Sequence, residues 1–204
     1  LKSSVKAFYL NRASIDIEEQ YAGVYARKGG HPDDSVLVHS SAVSKERPEN
    51  TVINCPGGWY DAGDYNKYIV NSGISTYTLL RTYDKFIKIH KQMDLNIPES
   101  NNEVVDLLDE IEYNINWMIT MQDLNDGGVY HKLTDKKFSS FAPPTATVSP
   151  RYVVQKTTSA ALNFAAVLAY YSTLIEDEER SLVFLKKSKS CLLYTSDAAD
   201  EEDS

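Results

Sequence analysis

Apolar side chains recur at helical spacing along most of the chain. The clearest stripe lies within residues 103–122, where spacings of four and three residues alternate; its members are Val104, Leu108, Ile111, Ile115 and Met118. A second stripe predicts a helix over residues 69–90. Further helices are predicted over 1–12, over the alanine-rich 158–175, and over 176–190, where acids come first and lysines last, as the helix dipole prefers. Strand signals are weak throughout. The pattern therefore predicts an all-α protein.

Two long connections, residues 15–66 and 127–156, separate the predicted helices. Structureless connections longer than about 15 residues are uncommon in compact domains and tend to be functional. Helices joined by such loops predict an α/α toroid with a cleft built from loops. The alanine-rich run SAALNFAAVLAYY, in the helix predicted for 158–175, favours close contact with neighbouring helices.

The overall charge argues against one class of partner. The chain carries a formal net charge of -8, whereas proteins that bind nucleic acid normally cluster Lys and Arg to displace counterions. No apolar run approaches the roughly 18 residues that a membrane span needs. We therefore expect no nucleic acid and no membrane as a partner. The 14 tyrosines against 6 phenylalanines favour surfaces where a ring packs and a hydroxyl bonds, and carbohydrate clefts are one such surface.

Cysteine use and the first residues leave the cell compartment open. Cys55 and Cys191 are too few for a disulfide framework or for a zinc cluster built on cysteines. The sequence starts at Leu1, without a Met or a signal peptide, and its first residues already predict a helix. We expect the natural N-terminus to lie upstream.

The stretch GGWYDAGDYNKYIV, residues 57–70, combines acids, glycines and aromatic rings. Asp61 and Asp64 are residue types common in turns and at helix starts, where a carboxylate accepts backbone N–H groups, and this is the simplest interpretation. Gly58 and Gly63, however, let the backbone approach a ligand closely. The aromatic side chains beside the acids are Trp59, Tyr60 and Tyr65. Flat amphipathic rings next to carboxylates suit a sugar.

The longer stretch GGWYDAGDYNKYIVNSGISTYTLL closely resembles the signature of glycoside hydrolase family 9, the cellulase family whose catalytic domain is an (α/α)6 barrel. Three further stretches keep the family's order: KAFYLNRASIDIEEQYAGVYAR, WMITMQDLNDGGVYHKLT and SPRYVVQKTTSAALNFAAVLA. They resemble most the branch in which an immunoglobulin-like module precedes the catalytic domain. Nearly all of residues 1–190 is covered. The resemblance implies a partial catalytic domain over 1–190, forming the N-terminal part of the six-hairpin barrel.

The resemblance also implies an activity, the hydrolysis of β-1,4-glucosidic bonds in cellulose or related β-glucans with inversion. In an inverting mechanism one carboxylic acid protonates the leaving oxygen and a second carboxylate activates water on the opposite sugar face. By its place in DAGD, Asp64 is the expected general base, and Asp61 is expected to position the water. The family's general acid is a glutamate of a late motif that this chain does not reach. We therefore expect the fragment alone to be inactive, and the full-length protein to be secreted, periplasmic or attached to the cell surface.

An alternative from another class stays open. The chain can be read as a non-catalytic carbohydrate-binding protein or a helical-hairpin scaffold, with Asp61 and Asp64 as turn and cap residues. A late glutamate in a helical context, further along the gene, would favour the enzyme.

Five residues are candidate substrate contacts by resemblance: Trp59, Tyr60, Tyr130, His131 and Arg151. Tyr130 and His131 belong to the loop sequence VYHK, which in relatives borders the substrate cleft. Trp59 either stacks on sugar or packs against the barrel rim. Arg151 either orients the cleft or caps neighbouring groups, and a loop histidine such as His131 can also be simply solvated.

We expect no metal and no cofactor. Relatives of this branch often hold a structural zinc through Cys and His, but Ala13 and Gly30 stand where cysteines are expected, and Tyr60 stands where many relatives have histidine. His31 alone cannot form a four-ligand site. The run DLNDGG, residues 123–128, lacks the alternating ligands and distal glutamate of a calcium loop and is better interpreted as a helix-ending turn.

The C-terminal segment CLLYTSDAADEEDS, residues 191–204, breaks the pattern because it shows no apolar stripe. One interpretation is an acidic disordered end. We favour another, since CLLYTSDAADE resembles a translated sequencing-library adapter, and we predict that residues 191–204 are a non-native tail.

A partial barrel should leave apolar helix faces without neighbours. We expect such open faces around Ala161, Ala165 and Leu168, and along Val104, Ile111 and Met118.

Overall fold

The structure, a computed structural model, describes residues 1–139, 141–146 and 149–202. Its α-helices are α1 (Lys2–Leu10), α2 (Glu19–Ala22), α3 (Ile69–Lys85), α4 (Ile87–His90), α5 (Asp106–Thr120), α6 (Thr158–Ser172) and α7 (Glu178–Glu202). Its strands are β1 (Val36–Val38), β2 (Val52–Ile53), β3 (Lys67–Tyr68), β4 (Lys132–Asp135) and β5 (Arg151–Val153). Each predicted helix is present over most of its length. None of the described helices has both the length and the apolar character to cross a membrane.

The helix α5 lies in the core, between α1 and α3. The buried members of its predicted stripe are Leu108, Ile111, Ile115 and Met118. Val104 precedes the helix and remains 48% exposed. Trp117, on the same helix, is also fully buried. The helical period of residues 103–122 therefore identified the element correctly.

Small residues bring α3 and α6 close together, as the alanine-rich sequence predicted. A Cβ atom on Gly73 of α3 would lie 2.8 Å from the Asn163 Cβ of α6, so this crossing requires glycine. Ala160 and Ala161 are fully buried on α6. At the start of that helix, the Thr157 hydroxyl oxygen accepts the Ala160 N–H at 3.2 Å, as an N-cap does.

Two predicted helix boundaries differ from the structure. The helix expected over residues 69–90 breaks at Phe86, whose φ of -126° and ψ of 36° separate α3 from α4. The helix expected over 176–190 continues through residues 191–202 as part of α7. Cys191 is buried there, and its Sγ lies 3.4 Å from the Ala161 carbonyl oxygen. This continuity does not test the origin of the tail, so its non-native character stays a prediction; residues 203 and 204 lie outside the described residues.

The all-α prediction is wrong in one respect, because the long connections contain a small five-stranded sheet of order β2-β1-β5-β4-β3. The pairs β1–β2, β4–β5 and β3–β4 are antiparallel, and β1–β5 is parallel. Leu37 of β1 lies opposite Tyr152 of β5, so the sheet joins the two connections to each other. Strands this short, of two to four residues, are too brief for an alternating pattern to stand out.

The open apolar face lies elsewhere than expected. Ile111 and Met118 are fully buried, as are Ala161 and Leu168, so the predicted open faces at these positions are wrong. Neighbouring helices cover them within the described part of the chain. The exposed apolar side chains of α3 and α6 are instead Ile74 (61% exposed), Tyr77 (42%) and Leu162 (50%).

Candidate active site

The residues Asp61, Ala62, Gly63 and Asp64 form a tight loop between the buried Tyr60 and strand β3; we call it the DAGD loop. Its ends are tied by the backbone, since the Asp61 N–H donates to the Asn66 carbonyl at 3.0 Å and the Tyr65 N–H donates to the Ala62 carbonyl at 3.0 Å. Tyr65 takes a left-handed φ of 58°, which reverses the chain. The two aspartates are thus presented at the surface of the fold, with Asp61 exposed and Asp64 half-buried.

Each aspartate has its own asparagine partner. The Asn66 Nδ2 donates to the Asp64 Oδ2 at 2.8 Å, and the Asn66 backbone N–H lies 3.3 Å from the Asp64 Oδ1. The Asn71 Nδ2, in the first turn of α3, donates to the Asp61 Oδ1 at 2.8 Å. Both carboxylates also act on Tyr68, whose pKa is raised mainly by partial burial and further by the negative charges of Asp64 and Asp61. The loop therefore gathers two oriented carboxylates in one place.

A cavity of about 160 Å³ opens beside this loop. It is lined by Phe8, Asn11, Trp59, Tyr60, Asp61, Tyr68, Asn71, Ser72 and Ser75. These residues come from the end of α1, the DAGD region and the first turns of α3, and their hydroxyl, amide and carboxylate groups give the cavity a polar wall. Asp61 thus faces a space where a polar ligand can sit.

The two aromatic residues before the loop are almost completely buried and form hydrogen bonds within the fold. Trp59 is 6% exposed, and its Nε1 donates to the Glu110 Oε1 at 2.7 Å. Tyr60 is 7% exposed, and its hydroxyl donates to the Gly30 carbonyl at 3.0 Å while lying 2.9 Å from the His31 Nδ1. Only a small part of each ring reaches the cavity. The burial of Trp59 favours packing over stacking on sugar, and substrate contact by the exposed edges of Trp59 and Tyr60 stays a prediction.

Tyr130 and His131 differ in burial. Tyr130 is fully buried, and its hydroxyl lies 3.2 Å from the Arg47 Nη1 and 3.4 Å from the Asp123 Oδ2. Its burial favours a structural role for Tyr130 in this structure, and its contact with substrate stays a prediction. His131 is half-buried; its Nδ1 lies 3.1 Å from the Thr157 Oγ1, and burial lowers its pKa. His131 keeps a partly open side chain.

Arg151 lies beneath the DAGD loop in a buried ion cluster. It is 5% exposed, and its Nη2 donates to the Tyr65 carbonyl at 2.9 Å, directly behind the loop. Its Nε lies 3.1 Å from the Asp33 Oδ1, and the Lys67 Nζ lies 2.8 Å from the Asp33 Oδ2. Arg151 thus supports the loop through the Tyr65 carbonyl, which favours the interpretation that it caps neighbouring groups; its role at the cleft stays a prediction.

Lys67 fixes the start of the same stretch. Its Nζ donates to the Gly57 carbonyl at 2.6 Å and to the Cys55 carbonyl at 3.2 Å. Complete burial lowers the pKa of Lys67 to about 8, although Asp33 opposes that shift. Sequence reasoning missed both Asp33 and Lys67, and the available hint was a lysine placed directly before the apolar start of α3.

A second buried ion cluster supports Trp59. The Arg12 Nη1 and Nη2 lie 2.9 and 3.0 Å from the two Glu99 carboxylate oxygens, and the Arg12 Nε lies 3.1 Å from the Glu110 Oε2. Arg12 is 1% exposed and Glu110 is fully buried. Burial raises the pKa of Glu110, while Arg12 opposes that shift. Glu110 of α5 therefore binds both Arg12, which follows α1, and the indole of Trp59.

The positions considered for zinc do come together. The Ser14 N–H, next to Ala13, donates to the Gly30 carbonyl at 3.1 Å, and His31 contacts Tyr60 as described above. Burial, with a further contribution from the Arg151 charge, lowers the pKa of His31 to about 4. In the described part of the chain no group of three or more His, Cys, Asp or Glu side chains is placed to hold a metal ion. The absence of zinc stays a prediction.

The DLNDGG run forms a turn after α5, as expected. The Asp123 N–H donates to the Gly128 carbonyl at 2.8 Å, and Gly127 has a φ of 80°. The Lys156 Nζ lies 2.7 Å from the Asp123 Oδ2 and 2.6 Å from the Asp126 Oδ2. A lysine ammonium therefore neutralises these carboxylates.

Comparison with known proteins connects this geometry to a family. The sequence profile of glycosyl hydrolase family 9 matches residues 1–202. The xyloglucan-specific endo-β-1,4-glucanase BoGH9A of Bacteroides ovatus is 52% identical over 177 residues, which are 87% of this chain and 30% of that protein. Endoglucanase D of Acetivibrio thermocellus is 32% identical over 170 residues, 82% of this chain and 26% of that protein. The chain thus spans less than a third of the length of these relatives.

Solved structures agree with the sequence matches. A Bacteroides ovatus GH9 structure superposes with a TM-score of 0.94 at 47% identity and covers 97% of this chain and 37% of that chain. A metagenome-derived glycoside hydrolase family 9 endoglucanase superposes with a TM-score of 0.86 at 28% identity, over 95% of this chain and 35% of that chain. With a profile match along nearly its whole length and these similarities, this chain belongs to glycosyl hydrolase family 9.

Proposed function

We propose that this chain carries the water-activating side of an active site that hydrolyses β-1,4-glucosidic bonds, in cellulose or a related β-glucan, with inversion. The observation that carries the proposal is the DAGD loop, in which Asp64 is oriented by Asn66 and Asp61 faces a polar cavity. Two of the similar proteins are named a xyloglucan-specific endo-β-1,4-glucanase and an endoglucanase.

The chemistry assigns one role to each carboxylate. Asp64 accepts the proton of the attacking water as general base; its side chain is only half-buried, and Asn66 fixes its orientation. Asp61 accepts the second hydrogen of that water and so holds it in line with the sugar carbon. The general acid that protonates the leaving oxygen is supplied by a glutamate from outside this chain. His131 and the exposed edges of Trp59 and Tyr60 border the substrate.

The wider architecture belongs to the same proposal. Residues 1–190 form the N-terminal part of an (α/α)6 barrel, and the exposed Ile74, Tyr77 and Leu162 on α3 and α6 support it, since a completed barrel would offer them neighbours. An immunoglobulin-like module precedes the catalytic domain, and the full-length protein acts outside the cytoplasm, where polymeric glucans are found. Residues 191–204 are a non-native tail.

The decisive test is Asp64→Asn in a full-length enzyme that carries this chain. We expect kcat on a soluble β-1,4-glucan to fall by about two to four orders of magnitude with KM changed little, because a transition-state interaction is lost. The matched control is Asp34→Asn, an exposed aspartate outside the DAGD loop, which should leave kcat unchanged. Near-normal kcat for Asp64→Asn would refute the assignment of Asp64 as the general base, whereas a full-length wild type without hydrolysis would favour a non-catalytic carbohydrate-binding role.

The stereochemistry gives an independent test. NMR spectra taken early in hydrolysis should show the inverted anomer as the first product. Retention would contradict a mechanism in which Asp64 activates water directly. Residues 1–190 expressed alone should show no hydrolysis, because a base without its acid forgoes protonation of the leaving group.

A further inference from the structure

Asn66 lies outside the DAGD loop, yet it forms hydrogen bonds with the residues at both ends of that loop. Its side chain is fully buried immediately before β3. Its backbone carbonyl accepts the Asp61 N–H at 3.0 Å, and its Nδ2 donates to the Asp64 Oδ2 at 2.8 Å. Its Oδ1 accepts the N–H of Asp135, in β4, at 3.2 Å. One residue therefore connects the two carboxylate-bearing positions to the sheet.

The orientation of the Asn66 amide follows from the chemistry of its partners. A backbone N–H can only donate, so the side chain must turn its oxygen toward Asp135. An ionised carboxylate can only accept, so the side chain must turn its NH₂ toward Asp64. A flipped amide would lose both hydrogen bonds at once. The strand β4 therefore dictates, through Asn66, where a donor meets the Asp64 carboxylate.

The strand that anchors Asn66 is itself well held. Asp135 pairs with Arg151 across β4 and β5, and the Arg151 Nη2 donates to the Tyr65 carbonyl at 2.9 Å. The support for Asp64 thus continues from its carboxylate through Asn66 into the sheet. By contrast, the Asp61 carboxylate is held by Asn71, an exposed residue of α3.

We propose that Asn66 is a positioning residue that sets the orientation of the Asp64 carboxylate for water activation; this rests on the proposed role of Asp64 as general base. Asn66 does not touch substrate. Its side-chain amide holds the Oδ2 of Asp64 at 2.8 Å, and its backbone N–H lies 3.3 Å from Oδ1. Both oxygens are thus oriented, and their remaining lone pairs are available to take the proton from water. Misplacing a reacting group by about 1 Å can cost roughly 100-fold in rate, so a single well-placed amide can have a large effect on kcat.

Two substitutions distinguish the hydrogen bond that Asn66 donates to Asp64 from the one that it accepts from Asp135. Asn66→Ala removes both side-chain hydrogen bonds, and we expect kcat to fall roughly 10- to 100-fold with KM within about twofold. Asn66→Asp keeps the size and an oxygen for the Asp135 N–H, so it preserves the tie to β4. It nevertheless opposes the Asp64 carboxylate with a second acceptor, so at neutral pH kcat should be at least as low as in Asn66→Ala.

The control is a second asparagine–aspartate pair far along the chain from the loop. The Asn102 Nδ2 donates to the Asp109 Oδ1 at 3.2 Å, and Asn102→Ala should leave kcat and KM unchanged. All variants are made in the full-length enzyme, checked for folding by circular dichroism and assayed well below their melting temperatures, with Asp64→Asn measured alongside.

The outcomes are distinct. If Asp64→Asn is inactive and a folded Asn66→Ala or Asn66→Asp keeps kcat within twofold of the wild type, the positioning role is refuted and the proposed function stands. If either Asn66 variant raises KM with kcat unchanged, Asn66 acts in substrate binding and the proposal is also overturned. If Asp64→Asn itself keeps its activity, the proposed function fails first.

Discussion

The two halves of one eight-residue stretch, GGWY (57–60) and DAGD (61–64), are built in opposite ways. The first half is buried: the Ala13 N–H donates to the Gly58 carbonyl at 2.8 Å, and Trp59 is tied to α5 through Glu110. The second half is open, and its two carboxylates depend on asparagine side chains for their orientation. The GGWY half anchors the stretch in the core, and the DAGD half keeps its carboxylates accessible.

The difference has a physical cause. A buried indole N–H must find an acceptor, and here the acceptor is a buried carboxylate that in turn requires Arg12 for its charge. Catalytic carboxylates face the opposite requirement, since they must stay accessible to water and sugar. Aromatic rings that neighbour acids in the sequence therefore need not lie beside the ligand in the fold.

The largest effect on stability should come from removing Glu110, the buried carboxylate that accepts the Trp59 indole N–H. Glu110→Ala leaves the buried Arg12 with Glu99 alone and deprives the Trp59 indole of its acceptor. We expect a loss of about 3–5 kcal/mol in the free energy of unfolding, measured by chemical denaturation of the full-length enzyme. Glu99→Ala, at a side chain that is 35% exposed, should cost clearly less. Equal costs would show that the buried cluster is not what secures Trp59.

The two glycines give a matched comparison of the halves. Gly58 has a φ of 76°, and a Cβ there would lie 2.7 Å from the Trp117 ring, so Gly58→Ala should cost roughly 2–4 kcal/mol. A Cβ on Gly63 meets no atom within 4 Å. Gly63→Ala should therefore change the free energy of unfolding by less than about 0.5 kcal/mol. Thermal melts of the two variants decide the matter, and a large loss for Gly63→Ala would contradict the open character of the DAGD loop.

Within the acidic half, Asp61 should matter less than Asp64. In the proposed mechanism Asp61 holds water without taking its proton, so Asp61→Asn, which keeps one side-chain oxygen as an acceptor, should lower kcat by roughly tenfold. The same assay run on Asp64→Asn provides the reference. A loss for Asp61→Asn equal to or greater than that of Asp64→Asn would exchange the two roles.

The helices could be predicted from the sequence because each buries one face of a regular period. Ile111 and Met118 on α5 are the clearest case, since both are fully buried at the predicted spacing. The sheet could not, because strands such as Val52–Ile53 contain too few residues for an alternating pattern. Resemblance, and not periodicity, identified Asp61 and Asp64.

The supporting residues of the site escaped prediction for another reason. Asp33 lies in the first long connection, yet it pairs with Lys67 and with Arg151, far along the chain. Ion pairs between distant residues leave no spacing in the sequence. Asn66 stands beside the acids in DAGDYN, but only the fold shows that its oxygen is occupied by the Asp135 N–H of β4. The resemblance of the sequence predicts the roles of the two acids, and the fold shows that Asp64 is held through Asn66 from the sheet and Asp61 through Asn71 from α3.

The smallest expected effect is on the pH dependence of stability, and it arises at His31, the buried histidine that contacts Tyr60. The pKa of His31 in the fold is about 4, below the usual 6.5, so the unfolded chain binds a proton in this interval that the folded protein does not. The stability contributed by neutral His31 is present above about pH 6.5 and is lost as the pH falls toward 4. Burial is the main cause of the lowered pKa, and the Arg151 charge lowers it further, while Asp33 and Asp135 raise it.

His31→Asn should reduce this pH dependence. Asn tolerates the left-handed φ of 51° found at His31 but does not titrate. Melting temperatures of the full-length enzyme between pH 7.5 and 4.5 should therefore fall less for this variant than for the wild type. Tyr60→Phe removes the hydroxyl that contacts the His31 Nδ1 without removing the imidazole, so it should lower the melting temperature at every pH and keep most of the wild-type slope. An unchanged slope in His31→Asn would place the acid sensitivity of the fold in groups other than this one.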